Sequence, residues 1–127
     1  MNPKQDRLLT RVEQRLAMEG ISAPDAMALA RELVIPIQAV REIVRLGILA
    51  GRIIPLGDEL WFVPSTLAKL REVAQKLDTG GGFSVGEFRD ATLGSRRTAV
   101  PILEYFDELG WTEFDGTSRR ALSPNRS

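Results

Sequence analysis

The sequence predicts a mostly α-helical chain with small β-hairpins, an α+β arrangement of two tandem winged helix-turn-helix domains at residues 1–64 and 65–127. Three observations support this prediction. Helix-type patterns occur in groups of three, and each group is followed by a strand–turn–strand pattern. The third helices of the two groups also carry apolar residues at the same spacing, with Ala39-Val40 corresponding to Ala99-Val100.

Charge balance and two missing residue types narrow the possible functions. Lys+Arg and Asp+Glu both number 17, so affinity for nucleic acid requires local clustering of charge. The chain has no cysteine and no histidine, which excludes thiol nucleophiles, disulfides, imidazole bases and the commonest zinc ligands. No segment has the roughly 20 apolar residues that a membrane helix needs, and no signal-peptide pattern is present. We therefore expect a cytoplasmic protein with no membrane partner.

The first three helices are predicted from amphipathic periodicity and from residues that start helices. Apolar residues recur at helical spacing over Asp6–Met18. Ser22 as a cap and Pro24 in the first turn predict a second helix ending near Leu33. Pro36 opens the third helix, because its fixed backbone angle suits the first helical turn.

A hairpin is predicted to complete the first domain. Strand-like segments occur at Arg52–Leu56 and Glu59–Val63, with a turn at Gly57-Asp58 between them. Because side chains alternate along a strand, one ring of the adjacent Trp61 and Phe62 is expected in the core. The other is expected at the surface or between the domains.

The second domain repeats this order of elements. Ser65–Asp78 has helical periodicity, and the glycine-rich Thr79–Gly82 is predicted to be a loop inside the domain. A short helix follows Phe83, a tight turn occupies residues 93–95, and a longer helix leads to two strand-like runs around Asp115-Gly116. The aromatic residues of this domain are expected largely in its core, with Tyr105 the exception that could stack on a base.

The turn before the longer helix has the features of an anion-binding site. Gly94 would allow a sharp turn, Ser95 would cap the helix, and Arg96 and Arg97 lie in its first turn. The free N–H groups there attract anions, whereas two cations are disfavoured by the helix dipole unless a partner such as phosphate compensates them. Pro101 cannot donate a hydrogen bond toward Arg97, so the first turn is expected to be slightly detached.

Catalytic candidates are few. The carboxylates at Glu104, Asp107, Glu108 and Asp58-Glu59 fit solvated surfaces better than an acid–base pair. Gly80–Gly82 lacks the lysine and the preceding strand of a phosphate-binding loop. The chain is predicted not to be an enzyme, and no cofactor or metal is expected in it.

One segment carries a family resemblance. FSVGEFRDATLGSRRTAVPILEYFDELGWT, residues 83–112, resembles the last winged helix of the bacterial selenocysteine-specific elongation factor SelB. The shared features are an F-[ST]-V-x-x-F-R-D segment, a glycine-serine-arginine turn and an A-[VI]-P-[IL]-L-E-Y-F-D helix. Leu93-Gly94 stands where relatives often have Gly-Leu. The first domain fits the preceding winged helix of that factor by position and pattern.

The resemblance implies a function in selenocysteine incorporation. In that family the tandem winged helices extend from a GTP-binding body, and the last one holds the loop of a selenocysteine insertion (SECIS) hairpin in messenger RNA. The chain would then be a monomeric C-terminal fragment, reaching the ribosome and selenocysteinyl-tRNA only through the full-length factor. The family's contacts fall on Gly94, Ser95, Arg96 and Arg97, with Arg89 from the preceding helix.

Charge placement adds a second basic pair, in the predicted wing. The complete set of predicted RNA-binding residues is Arg89, Gly94, Ser95, Arg96, Arg97, Thr98, Arg119 and Arg120. Two other functions are compatible with the sequence. One is a duplex-DNA-binding regulator that places the same helix in a major groove. The other is a protein-interaction module that uses Trp61 and Phe62 of the first domain.

Overall fold

The computed structural model describes residues 1–122, so the end of the predicted second domain, residues 123–127, lies outside the described residues. The chain divides into two compact units, Met1–Thr66 and Leu67–Ser127. The division falls inside one helix, Pro64–Leu77, close to the boundary expected from the sequence. Each unit consists of helices followed by a two-stranded antiparallel sheet. The predicted fold class, mostly α with small hairpins in winged helices, is confirmed.

The first unit contains three α-helices, one 3-10 turn and one hairpin. These elements are α1 (Pro3–Glu19), the 3-10 turn (Gly20–Ser22), α2 (Ala26–Leu33), α3 (Ile37–Leu49), β1 (Ile54–Pro55) and β2 (Trp61–Phe62). The strands pair with Ile54 opposite Phe62. Leu9, Leu16 and Leu29 are fully buried between the helices. The order helix, helix, helix, hairpin is that of a winged helix.

Helix starts in this unit differ from those expected. Asp25, not Ser22, caps α2, because its carboxylate accepts the Ala28 N–H at 2.9 Å while Ser22 lies in the 3-10 turn. Helix α1 begins earlier than its apolar periodicity indicates. There Asn2 and Gln5 cap each other's backbone N–H groups at 2.8 and 3.0 Å. Polar caps of this kind add a turn beyond the apolar stripe.

The expectation that one ring of Trp61 and Phe62 faces outward is wrong. Trp61 is 6% exposed and Phe62 is fully buried. Strand β2 has only these two residues and lies between buried Leu60 and Val63. The alternation of a regular strand therefore does not apply here. The aromatic surface on which the protein-interaction hypothesis depended does not exist.

The second unit repeats the arrangement. Its elements are α4 (Pro64–Leu77), α5 (Val85–Thr92), α6 (Arg96–Leu109), β3 (Thr112–Phe114) and β4 (Arg119–Ala121). Strands β3 and β4 form the wing, with Glu113 opposite Arg120. Phe83 adds a bridge to the sheet: its N–H donates to the Arg119 carbonyl at 2.8 Å and its carbonyl accepts the Arg119 N–H at 2.9 Å.

Aromatic rings form the core of this unit, largely as expected. Phe83, Phe88 and Phe106 are buried, and neighbouring ring centroids lie 6.3 and 6.5 Å apart. Trp111 packs 5.2 Å from Phe106 and carries the Arg71 guanidinium 4.3 Å from its ring centroid. Phe114 departs from the expectation, because 48% of it is exposed.

The glycine-rich loop after α4 is fixed by one carboxylate. Asp78 accepts hydrogen bonds from the N–H groups of Gly80 at 3.0 Å, Gly82 at 2.9 Å and Ala121 at 2.8 Å. Gly82 has a positive φ of 85°, and a Cβ there would lie 2.8 Å from the Arg119 carbonyl oxygen. The loop that composition marks as flexible is therefore attached closely to the wing.

Candidate nucleic-acid interface

The turn between α5 and α6 is formed by Leu93, Gly94 and Ser95. Leu93 ends α5 in the left-handed conformation, with φ 57° and ψ 29°. The Gly94 N–H donates to the Arg89 carbonyl at 3.0 Å, which closes the end of the helix. The expectation that Gly94 supplies the unusual backbone conformation is therefore wrong. Helix α5 ends one residue earlier, so the left-handed position falls on Leu93.

Helix α6 begins at Ser95, whose extended backbone places it at the N-cap. The Ser95 carbonyl accepts the Ala99 N–H at 2.8 Å and the Thr98 hydroxyl at 3.2 Å. Thr98 is 4% exposed. Its side chain holds the start of the helix from inside. This buried position differs from the direct RNA contact predicted for Thr98.

Arg96 and Arg97 are exposed in the first turn of α6. Their N–H groups have no partner within the helix, because the first turn lacks preceding carbonyls. Within residues 1–122 neither side chain forms a salt bridge, whereas Arg89, Arg119 and Arg120 all do. The structure therefore presents two guanidinium groups beside a helix N-terminus with no acidic neighbour to neutralise them.

Arg89 contributes to the turn through its backbone and lies on the last turn of α5. Its carbonyl accepts the Gly94 N–H at 3.0 Å, and its Nε is 3.4 Å from a carboxylate oxygen of Asp90. The side chain is 38% exposed, and that of Asp90 is 77% exposed. An exposed pair of this kind is weak, so an anionic ligand could displace Asp90 from Arg89.

Arg119 does not have the exposure that an RNA contact requires, and its predicted role is corrected. Its Nη2 is 2.8 Å from Asp107 and its Nε is 3.1 Å from both oxygens of the same carboxylate. The guanidinium lies 4.4 Å from the ring centroid of Phe114, and the side chain is 7% exposed. Asp107 also accepts the Thr112 hydroxyl at 2.6 Å, so it is not the solvated carboxylate expected.

Arg120 points the other way, because neighbouring residues of a strand face opposite sides. Its side chain is 57% exposed, and its Nε is 3.5 Å from Asp78. Of the two wing arginines, only Arg120 is accessible to a ligand.

Two structural details complete the geometry. Helix α6 is continuous from Arg96 to Leu109 despite Pro101, so the expected detachment of its first turn is not seen. At the base of the wing, the backbone N–H of Ala121, with those of Gly80 and Gly82, lowers the pKa of the Asp78 carboxyl. The charged form of Asp78 therefore stabilises the loop and the wing.

Metal and membrane features were also considered within the described residues. There, no group of three or more His, Cys, Asp or Glu side chains is placed to hold a metal ion. No helix of the described part of the chain is long and apolar enough to cross a membrane.

Two three-helix units, each with a short hairpin as its wing, define a tandem winged-helix protein. In the second unit, residues 75–121 match the family model described as elongation factor SelB, winged helix. The resemblance to the C-terminal winged-helix region of SelB is thereby confirmed.

Solved structures give the same result for the fold. The mRNA-binding domain of elongation factor SelB from E. coli, solved in complex with SECIS RNA, is 23% identical with a TM-score of 0.78. That match covers 97% of this chain and all of the other. A bacterial selenocysteine-specific elongation factor, EF-Sec, is 24% identical with a TM-score of 0.62, over 96% of this chain. The chain spans 19% of the length of that factor. No curated protein sequence matches the chain.

Proposed function

We propose that the chain is an RNA-binding C-terminal fragment of a selenocysteine-specific elongation factor, and that its second unit binds the loop of a SECIS hairpin. The observation that carries the proposal is the pair Arg96 and Arg97, exposed at the start of α6 and free of salt bridges among the described residues. These arginines lie inside the segment that matches the SelB winged helix. The similar E. coli domain was solved with SECIS RNA.

The chemistry of the turn suits an RNA loop. Guanidinium groups form paired hydrogen bonds with phosphate oxygens, and N–H groups at a helix start add further donors. A-form RNA hides its major groove, so sequence-specific proteins bind loops and unstacked bases instead. A compact cationic turn fits a loop better than it fits a long duplex.

The other predicted residues take different parts in this proposal. Arg89 and Ser95 lie beside the two arginines and would contact the same RNA. Arg120 is an accessible cation in the wing. Gly94 and Thr98 shape the turn, and Arg119 stabilises the wing through Asp107.

The wider role is also part of the proposal. We expect a cytoplasmic, monomeric binding module without catalytic activity of its own and without a cofactor. Guanine-nucleotide hydrolysis and contacts with the ribosome and selenocysteinyl-tRNA would belong to the full-length factor.

Titration with labelled RNA tests the proposal. The chain is titrated with a SECIS hairpin, with the same stem carrying a scrambled loop, and with a DNA duplex of equal length. We expect the SECIS hairpin to bind most tightly. Equal affinity for both hairpins contradicts loop recognition, and preference for the duplex favours a DNA-binding regulator.

A further inference from the structure

We infer that Leu93 contacts the face of an unstacked base in the RNA loop and contributes to loop recognition without binding phosphate. The inference rests on the proposed function, because it assigns a role within the same turn. It concerns the one residue of that turn that is both apolar and almost completely exposed.

Neither packing nor backbone conformation explains a leucine at this position. Leu93 is 88% exposed, so its side chain adds little to the core. Its φ of 57° lies in the left-handed region, where glycine and asparagine are favoured and other residues are strained. The same conformation occurs at Val34, at the corresponding turn of the first unit, so it belongs to the fold. The apolar side chain at residue 93 still requires a separate reason.

The neighbours of Leu93 indicate which part of a ligand it would meet. Gly94 and Ser95 connect it to Arg96 and Arg97, and its own N–H is bonded back to the Asp90 carbonyl at 3.4 Å. The arginines attract phosphate groups, which an isobutyl group cannot bind. The apolar surface of RNA is the face of its bases, and this face becomes accessible in a loop where bases are splayed out.

Such a contact would have a distinct energetic signature. Covering an apolar side chain with a base removes apolar surface from water, and this contribution does not depend on salt. Phosphate contacts instead release counterions and set the slope of affinity against salt concentration. Leu93 and Arg97 should therefore affect binding in separable ways.

Three variants of the full chain test the inference. Leu93→Asn keeps a residue that tolerates the left-handed conformation and removes the apolar group. Leu93→Met keeps an unbranched apolar side chain. Leu109→Asn is the matched control, because Leu109 is an exposed leucine, 43% exposed, at the opposite end of α6. The probe is a fluorescently labelled SECIS hairpin, titrated at several salt concentrations.

We expect Leu93→Asn to raise Kd roughly tenfold at every salt concentration, with an unchanged salt slope. Leu93→Met should stay within about twofold of the unmodified chain, because most of the apolar area is retained. Leu109→Asn should bind as the unmodified chain does. Thermal unfolding should show no loss of stability in Leu93→Asn, so that weaker binding is not caused by unfolding.

Abasic hairpins identify the base. Each loop nucleotide is replaced in turn by an abasic site, and each RNA is measured with the unmodified chain and with Leu93→Asn. For the contacted nucleotide, the two losses should be less than additive, because both changes remove the same interaction.

Four results would overturn the inference. These are an unchanged Kd for Leu93→Asn, a shallower salt slope in that variant, an equal loss in Leu109→Asn, and additive losses at every loop position. An unmodified chain that does not prefer the SECIS hairpin would overturn the proposed function together with this inference. Selective binding that survives Leu93→Asn would overturn this inference alone.

Discussion

At the scale of single residues, the arginines of the second unit show how position separates structural from binding roles. Arg119 and Arg120 are adjacent, yet one is buried against Asp107 and the other is 57% exposed. Arg96 and Arg97 follow each other at a helix start, so both are exposed. An arginine in a strand is assigned to a face by the pleat, whereas the first turn of a helix exposes consecutive residues.

Arg97→Ala should weaken binding to the SECIS hairpin. We expect the loss of one phosphate contact to lower the magnitude of the salt slope by about 1. Titration at several salt concentrations measures both effects. Arg45→Ala is the matched control, since Arg45 is 57% exposed on α3 of the first unit and paired with Glu42. An unchanged slope in Arg97→Ala would remove Arg97 from the interface.

Asp78→Asn should destabilise the second unit by about 2–4 kcal/mol, because several backbone N–H groups lose a charged acceptor. The folded state lowers the pKa of Asp78. Its contribution is therefore present above the unfolded pKa of about 3.9 and is lost as pH falls through the lower folded pKa. Urea unfolding of both proteins at neutral pH and at decreasing acid pH checks this. The difference between them should shrink below about pH 4, and a constant difference would contradict the role of the charge.

At the scale of elements, helices were easier to anticipate than strands. Helical periodicity places each α-helix, and the errors fall at the ends, where polar caps such as Asn2 and Asp25 decide the boundary. The hairpin strands are only two or three residues long. A pattern so short carries little periodic information, so the burial of both Trp61 and Phe62 could not be derived from alternation.

Gly82→Ala should destabilise the second unit by about 2–3 kcal/mol, through left-handed strain and a clash with backbone. Its added Cβ would lie 2.8 Å from the Arg119 carbonyl oxygen. Gly81→Ala is the control, because a Cβ at Gly81 meets nothing within 4 Å. Thermal unfolding measures both variants. Equal stability of the two would show that the loop does not hold the wing.

At the scale of the whole molecule, the chain consists of two small units, each with its own buried residues and one tryptophan. Trp61 lies in the first unit and Trp111 in the second. Units of this size bury a limited fraction of their surface, so single core changes should have large effects. The two tryptophans allow each unit to be observed separately.

Phe106→Ala should destabilise the second unit by about 3–5 kcal/mol, because it leaves a cavity among the aromatic rings. The transition is followed by Trp111 fluorescence in a Trp61→Phe background. Leu16→Ala, read by Trp61 in a Trp111→Phe background, is the matched change in the first unit and should cost about 2–5 kcal/mol. Each change should move the transition of its own unit most. Equal shifts in both reporters would show that the chain unfolds as one cooperative unit.

The sequence by itself determined the order of helices and hairpins and the basic turn before α6, because these follow from local periodicity, caps and neighbouring charges. Only the tertiary structure decided which basic residues are accessible. The burial of Arg119 depends on Asp107, which lies on a different element. The exposure of Leu93 depends on where α5 ends. Contacts between separate elements and the exact end of a helix are set by packing of the whole unit, which a local pattern does not contain.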